Sequence, residues 1–240
     1  MLTWYETAVK NLEEGHSYSH NDLMVCLQQA RPDLSRSTYH WAISGLVRDG
    51  TLVKNGYDVY AVFEGTSLPE YKPSYSEEAL VLMDKLNTKY PYVSFTVFET
   101  VLMNTFLNHL IAQNTVFLQI EKESSIYVFR FLQEEGATNV LYKPAKKDFS
   151  LYWARDCTVV TDLVSEAPIR SENPHCIMLE KMLVDMCADR IIASTFSKAE
   201  LPDVFKYAQS HYSLDKTRML RYARRRNKED MIRKYLEGEK

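Results

Sequence analysis

Leu2, Tyr5, Val9 and Leu12 recur at helical spacing and predict a first helix over residues 2–14, with Gly15 at its stop. Ser19 or Asn21 can cap a second helix, whose inward positions are Leu23, Met24 and Leu27. Arg31-Pro32-Asp33 ends that helix, because Pro32 disfavours a helical conformation in the residue before it. A third helix is predicted from Ser37 to Asp49, with Tyr39, Ile43, Leu46 and Val47 as its buried stripe and Gly50 closing it. From Thr51 to Val62, two β-prone runs flank Asn55-Gly56, a pair suited to the positive φ angles of a tight hairpin turn. Three helices followed by a hairpin is the element order of a winged helix-turn-helix.

The pattern changes after Glu64–Ser76, where Gly65, Pro69 and Pro73 mark the best domain boundary. Residues 1–65 are therefore read as the winged helix-turn-helix and residues 66–240 as a second domain. In the second part, a helix is predicted from Ser76 to about Lys89 and a strand over Tyr92–Phe98. A helix over Leu102–Gln113 and a buried strand over Val116–Ile120 follow, then a helix over Ser125–Gln133. Asn139–Tyr142 and Cys157–Thr161 read as short strands. From Ile177 the chain reads as helical almost to its end, with segments Glu200–Ser210, Leu214–Ala223 and Lys228–Leu236 after a first stripe of Met178, Leu179, Met182, Leu183 and Met186. The predicted class is α+β (mixed α/β): an N-terminal winged helix-turn-helix, then an α/β domain with a helical C-terminal end.

With 45% apolar and 25% charged residues and only 7 Gly and 8 Pro, the 240-residue chain is expected to fold rather than stay disordered. No apolar run approaches membrane-spanning length, and Met1–Glu6 lacks the basic start of a secretory signal. The four widely spaced cysteines form no CxxC pair, so a cytoplasmic protein with reduced thiols and no membrane association is expected. The net charge of −3 is unevenly spread. Residues 1–65 hold 5 Lys/Arg against 8 Asp/Glu, residues 66–214 hold 14 against 19, and residues 215–240 hold 10 against 5. A basic end on an acidic body points to a nucleic-acid, membrane or acidic-protein partner.

With Tyr39, Ile43 and Leu46 buried, Arg36, Ser37, His40, Trp41 and Ser44 fall on the opposite side of the third helix. A recognition helix uses its first turns this way: hydroxyls and N–H groups bond phosphates, and long side chains reach base edges. Lys54 and Asn55 at the hairpin are candidate contacts to the adjacent DNA backbone. Trp41 has two open readings, a DNA contact or packing against the second domain. The acidic balance of this module works against phosphate affinity, so dimerisation on DNA or a second basic surface would have to supply the remainder. The candidate second surface is Arg218, Arg221, Arg224 and Arg225, with Lys228 on the same face if the helix continues. Its competing reading is a solvated basic face neutralised by the acidic middle domain.

No catalytic constellation emerges. Glu121-Lys122-Glu123 has the wrong spacing for a nuclease, Asp156 and Asp162 lack a lysine at the right offset, and the six histidines have no metal-ligand spacing. There is no glycine-rich phosphate loop. The reading is a non-enzyme without metal or cofactor. Glu180 and Asp185 are read as structural rather than catalytic: Glu180 and Lys181 can serve as surface or interdomain pairs while Leu179, Met182, Leu183 and Met186 pack, and Glu180 can meet one of the C-terminal arginines.

Leu179-Glu180-Lys181-Met182-Leu183-Val184-Asp185-Met186, Glu200-Leu201-Pro202-Asp203-Val204-Phe205 and Leu220-Arg221-Tyr222-Ala223-Arg224-Arg225 together resemble the AbiEi-type abortive-infection antitoxins. The resemblance implies a transcriptional repressor of its own operon, binding double-stranded promoter DNA through the winged helix. It also implies the antitoxin of a type IV toxin–antitoxin system, opposing a nucleotidyltransferase-like toxin without a stable complex. The alternative is a non-enzymatic adaptor that grips proteins with the winged helix and the basic C-terminal helices.

Overall fold

The computed structural model describes residues 3–13, 16–56, 58–62, 68–153 and 157–238. They divide into two compact units, Met1–Ser74 with Gln209–Ser213, and Tyr75–Ala208 with Leu214–Lys240. The division after Ser74 falls nine residues past the expected end at 65, and residues 63–67 lie outside the described ones. The class is α+β.

In the first unit the elements are α1 (Trp4–Val9), β1 (Ser17–Ser19), α2 (His20–Ala30), α3 (Arg36–Arg48), β2 (Leu52–Gly56) and β3 (Val59–Val62). Thr3 opens α1 and Ser19 opens α2 through reciprocal capping boxes with Glu6 and Asp22. The first helix is shorter than its apolar spacing predicts. Strand β1, not foreseen, pairs with β3, giving an antiparallel sheet of order β1-β3-β2. Tyr5, Val9, Leu23, Leu27, Tyr39, Ile43, Leu46, Leu52 and Val62 share one core. The hairpin turn also departs from expectation. Asn55 and Gly56 lie inside β2, where the register shifts between Lys54 and Gly56, a bulge that takes up the residues expected to turn. Tyr57 lies outside the described residues, and Asp58, directly before β3, takes the left-handed conformation at φ 59°.

The second unit holds α4 (Glu77–Lys89), β4 (Phe95–Glu99), β5 (Thr115–Ile120), α5 (Ser125–Glu134), β6 (Val140–Tyr142), α6 (Lys146–Tyr152), β7 (Cys157–Asp162), α7 (Leu179–Ala188), α8 (Leu201–His211), α9 (Lys216–Arg225) and α10 (Glu229–Glu237). The sheet order is β4-β5-β7-β6; β4 runs antiparallel to β5, while β5, β7 and β6 are parallel. Alternate residues divide the faces. Val97, Val116, Leu118, Ile120 and Val160 pack with Met83 and Leu86 of α4 and Val128 and Leu132 of α5. Phe117 meets Phe149 of α6, and Gln119 reaches α7 on the other side. Every residue of β5 is buried, as befits a strand covered on both faces.

The helix expected over 102–113 is replaced by a short 3-10 turn, Thr100–Thr105, and an irregular segment. Local side chains supply its bonds. Ile111 N–H donates to Asn104 Oδ1 at 2.7 Å, and Asn104 Nδ2 donates back to Ile111 O at 3.0 Å. Glu200 accepts from the N–H groups of Asn108 and His109. These bonds satisfy a backbone that has no helical ladder.

Every residue from Leu179 to Cys187 is buried, so the stripe read on α7 extends around the whole helix. This corrects the surface reading of Glu180 and Lys181. Glu180 accepts the N–H of Asp215 at 2.9 Å rather than meeting an arginine. Asp185 accepts from Lys181 at 2.5 Å, Gln119 Nε2 at 3.1 Å and Tyr222 O–H at 2.8 Å, with Arg226 Nε at 3.6 Å. Lys181 also donates to Gln119 Oε1. Burial pushes the Asp185 carboxyl up, but the charges of Lys181 and Arg226 and these hydrogen bonds outweigh it and hold the group below the usual carboxylate range. The stabilisation is thus present above the unfolded carboxyl value and is lost as pH falls through the lower folded one. Asp185→Ala strands a buried lysine and should cost about 3–5 kcal/mol in urea unfolding. It should also remove part of the acid dependence of stability. A loss below about 1 kcal/mol would show that the cluster does not hold the unit together.

Candidate DNA-contacting face

Helix α3 begins where the Ser35 side chain accepts the N–H of Thr38 at 3.3 Å, placing Arg36 in the first turn. Tyr39, Ala42, Ile43 and Leu46 turn into the core. Arg36, Ser37, His40, Trp41 and Ser44 are all exposed, so the side of the helix singled out by periodicity is the solvent side. Trp41 is 57% exposed, and its ring meets Tyr5 edge-on at 5.8 Å between centroids. One edge is thereby fixed by the core while much of the indole stays open. Ser44 Oγ donates to His40 O at 2.9 Å, leaving its oxygen as an acceptor.

Tertiary structure adds residues that sequence spacing did not mark. His40 Nδ1 lies 3.0 Å from His20 Nε2, and the rings are 4.6 Å apart. His20 N–H donates to Asp58 Oδ1 at 3.3 Å, tying the start of α2 to the hairpin connection. Burial lowers the His20 pKa, the charges of His40, Arg36 and Lys54 lower it further, and Asp58 opposes them. The same field therefore links α3, α2 and the hairpin. Lys54 is half-buried, and its carbonyl accepts from Tyr212 O–H. Asn55 lies in β2, but its side chain is outside the described residues. The only sequence signal for His20 is its place directly after the Ser19 cap; nothing local marks Asp58.

In the second unit α9 presents Arg221, Arg224 and Arg225 to solvent, with Arg218 half-buried. The face does not continue to Lys228, because the helix breaks at Asn227, where φ is 54°. Much of its charge is already partnered. Arg224 forms a fork with Glu229 at 2.6 and 2.9 Å, and this bonding brings the Glu229 carboxyl down to about 2. Arg218 Nε lies 3.4 Å from Asp215, and Arg221 Nε 4.0 Å from Glu166. Arg225 Nε donates to Ser165 Oγ at 2.6 Å. Arg226, absent from the sequence-based set, is the arginine turned toward Asp185 and Asp189.

Among the described residues, no group of three or more His, Cys, Asp or Glu is placed to hold a metal ion. No helix among them is long and apolar enough to cross a membrane.

No curated protein matches the chain. A solved structure, the crystal structure of the RV2827C protein from Mycobacterium tuberculosis, matches at 13% identity over 100% of this chain and 83% of that one. Its TM-score is 0.27, too low for the likeness to carry an argument. Residues 38–240 match DUF6577, a family of unknown function, and the chain belongs to that family.

Proposed function

We propose that the first unit is a winged helix-turn-helix that binds double-stranded DNA, with α3 as the recognition helix and the β2–β3 hairpin as the wing. The observation that carries this reading is the exposed run Arg36, Ser37, His40, Trp41 and Ser44 on one side of α3, backed by a buried stripe. On this reading the protein is a non-enzymatic transcriptional regulator of its own promoter. The sequence resemblance extends the proposal to an antitoxin of a type IV toxin–antitoxin system, opposing a nucleotidyltransferase-like toxin without a stable complex. The runs that carry the resemblance supply Lys181, Asp185 and Tyr222, and these three serve the interior of the second unit, while Arg221, Arg224 and Arg225 of the last run face solvent.

A second reading, a protein-binding adaptor, is favoured by one observation: Arg218, Arg221 and Arg224 face carboxylates of their own unit. Salt titration separates the two. Each phosphate contact contributes about 0.9 to the slope of log K against log salt. Arg221→Gln should flatten the slope for promoter DNA by about one such step, and Arg224→Gln, whose guanidinium Glu229 already holds, should leave it unchanged. Slopes untouched by both would assign α9 to the fold or to a protein partner.

Arg36→Ala should weaken binding to the promoter by about 1–3 kcal/mol and relax base preference in a competition assay. An equal loss on every sequence would confine Arg36 to phosphate, and no promoter binding by the wild type at low salt would refute the reading.

The His20–His40 pair adds a pH dependence. A histidine whose folded pKa is lowered stabilises the fold fully above its unfolded value of about 6.5 and loses that contribution as pH falls. Nearby phosphates favour the protonated ring, so DNA binding takes up protons. Affinity should rise between about pH 8 and about pH 6, and the rise should shrink in His20→Gln. A pH-independent affinity in the wild type would place the pair away from the DNA.

A further inference from the structure

The parallel strands β6 and β7 end at the same edge of the sheet, β6 at Tyr142 opposite Val160 and β7 two residues further on, at Asp162. Ligands of open α/β sheets bind in the crevice beyond the carboxyl ends of parallel strands. A cavity of about 750 Å³ lies there, lined by Lys143 directly after β6, Thr161 near the end of β7, the segment from Ala188 at the end of α7 to Ile191, and that from Arg225 at the end of α9 to Asn227. Its size falls within the range of small-molecule sites.

Its charge is one-sided. Among the described residues, Lys143, Lys146, Arg190, Arg225 and Arg226 line it against a single carboxylate, Asp189. That carboxylate is already occupied: Oδ1 accepts the N–H groups of Ile191 and Ile192, and Oδ2 faces Arg226 at 3.8 Å. Lys143 pairs with Asp162 at 2.7 Å, and Arg226 is shared with Asp185. Lys146 and Arg190 have no carboxylate partner among the described residues. The backbone is unusual at the same place. Lys143 has φ 43°, a left-handed conformation that a lysine rarely adopts, and Asn227 has φ 54°. The Lys143 N–H still bonds Val160 O at 2.9 Å, so pairing with β7 helps hold the strained residue at the cavity wall. Strained residues of this kind cluster at ligand sites.

We propose that this cavity binds a small anion carrying two or three linked phosphates, held by the forked guanidinium of Arg190 and the ammonium of Lys146, with Arg225 and Lys143 flanking. Concave walls converge cations on a compact ligand, whereas a duplex needs a surface that follows its backbone. Among the described residues no aromatic side chain lines the cavity, so phosphate charge and geometry, rather than stacking on a base, set recognition. The ligand is either an inorganic oligophosphate or the phosphate tail of a nucleotide. Every residue that lines the site belongs to the second unit, and the proposal does not rest on the DNA-binding reading of α3.

Isothermal titration of the full chain with inorganic tripolyphosphate and, separately, with ATP tests the assignment at physiological salt. The expected result is one saturable site for tripolyphosphate, weakened about tenfold by Arg190→Gln and again by Lys146→Gln, the loss of one charge-assisted bond each. Both residues are exposed, so the variants should melt like the wild type, which a thermal unfolding curve without ligand checks. Equal affinity for the two ligands assigns the site to the phosphate chain alone, and tighter ATP binding assigns it to a nucleotide. No saturable binding, or unchanged binding in the double variant with a wild-type melting curve, overturns the proposal. Displacement of tripolyphosphate by a short DNA duplex would overturn it too, since the cavity would then be part of a nucleic-acid surface.

Discussion

The second unit depends on a carboxylate that has been taken wholly out of water. Asp185 has no exposed surface, nor does Lys181 one turn before it on α7. Isolated, either charge would be prohibitively costly to bury. Together with Gln119, Tyr222 and Arg226 they form a network whose members come from β5, α7 and the α9 region. The sheet, the central helix and the C-terminal helices must therefore meet in one register, because any slip leaves a buried charge unpaired. Glu180 extends the same logic by capping the N–H of Asp215 at the start of α9. The network specifies how the helices dock more than it adds net stability, since buried ion pairs seldom outperform apolar packing.

The first unit uses a different division of labour. Its core is apolar, built from Leu23, Leu27, Ile43 and Leu46 with Tyr5 and Tyr39, and its polar chemistry is displaced to the outside of α3. His20, His40, Arg36 and Lys54 influence one another there, while Asp58 offsets part of their charge. This is local positive character within a module of net negative charge. It suits a contact whose register is fixed by a few groups rather than by bulk charge. The arginines of α9 are less available than their number suggests, because Asp215, Glu166 and Glu229 lie beside them.

Periodicity made the exposed side of α3 legible, because one amphipathic helix on one core obeys its own 3.6-residue spacing. Short-range signals also offered Ser19 beside Asn21 as the cap of α2, placed the start of α4 at Ser76 and gave the hairpin pairing. What escaped was set by contacts distant in sequence or by side chains replacing backbone partners. Lys181 and Asp185 look like surface charges until β5 and α9 are packed on them. Asn104 converts an apparently helical segment into a loop by bonding Ile111. His20 and Asp58 are 38 residues apart and meet only after β1 and β3 pair. The bulge between Lys54 and Gly56 moved the turn beyond the Asn-Gly pair that announced it. Lys143 and Arg190 give no local motif at all; the ends of β6 and α7 bring them to one cavity.

The central claim, that α3 meets DNA, is tested most directly by photo-cross-linking the full chain to its own promoter fragment and mapping the attached peptides by mass spectrometry. The account predicts cross-links within Arg36–Ser44, with a weaker set at Lys54. Cross-links confined to the second unit, with none on α3, would contradict it.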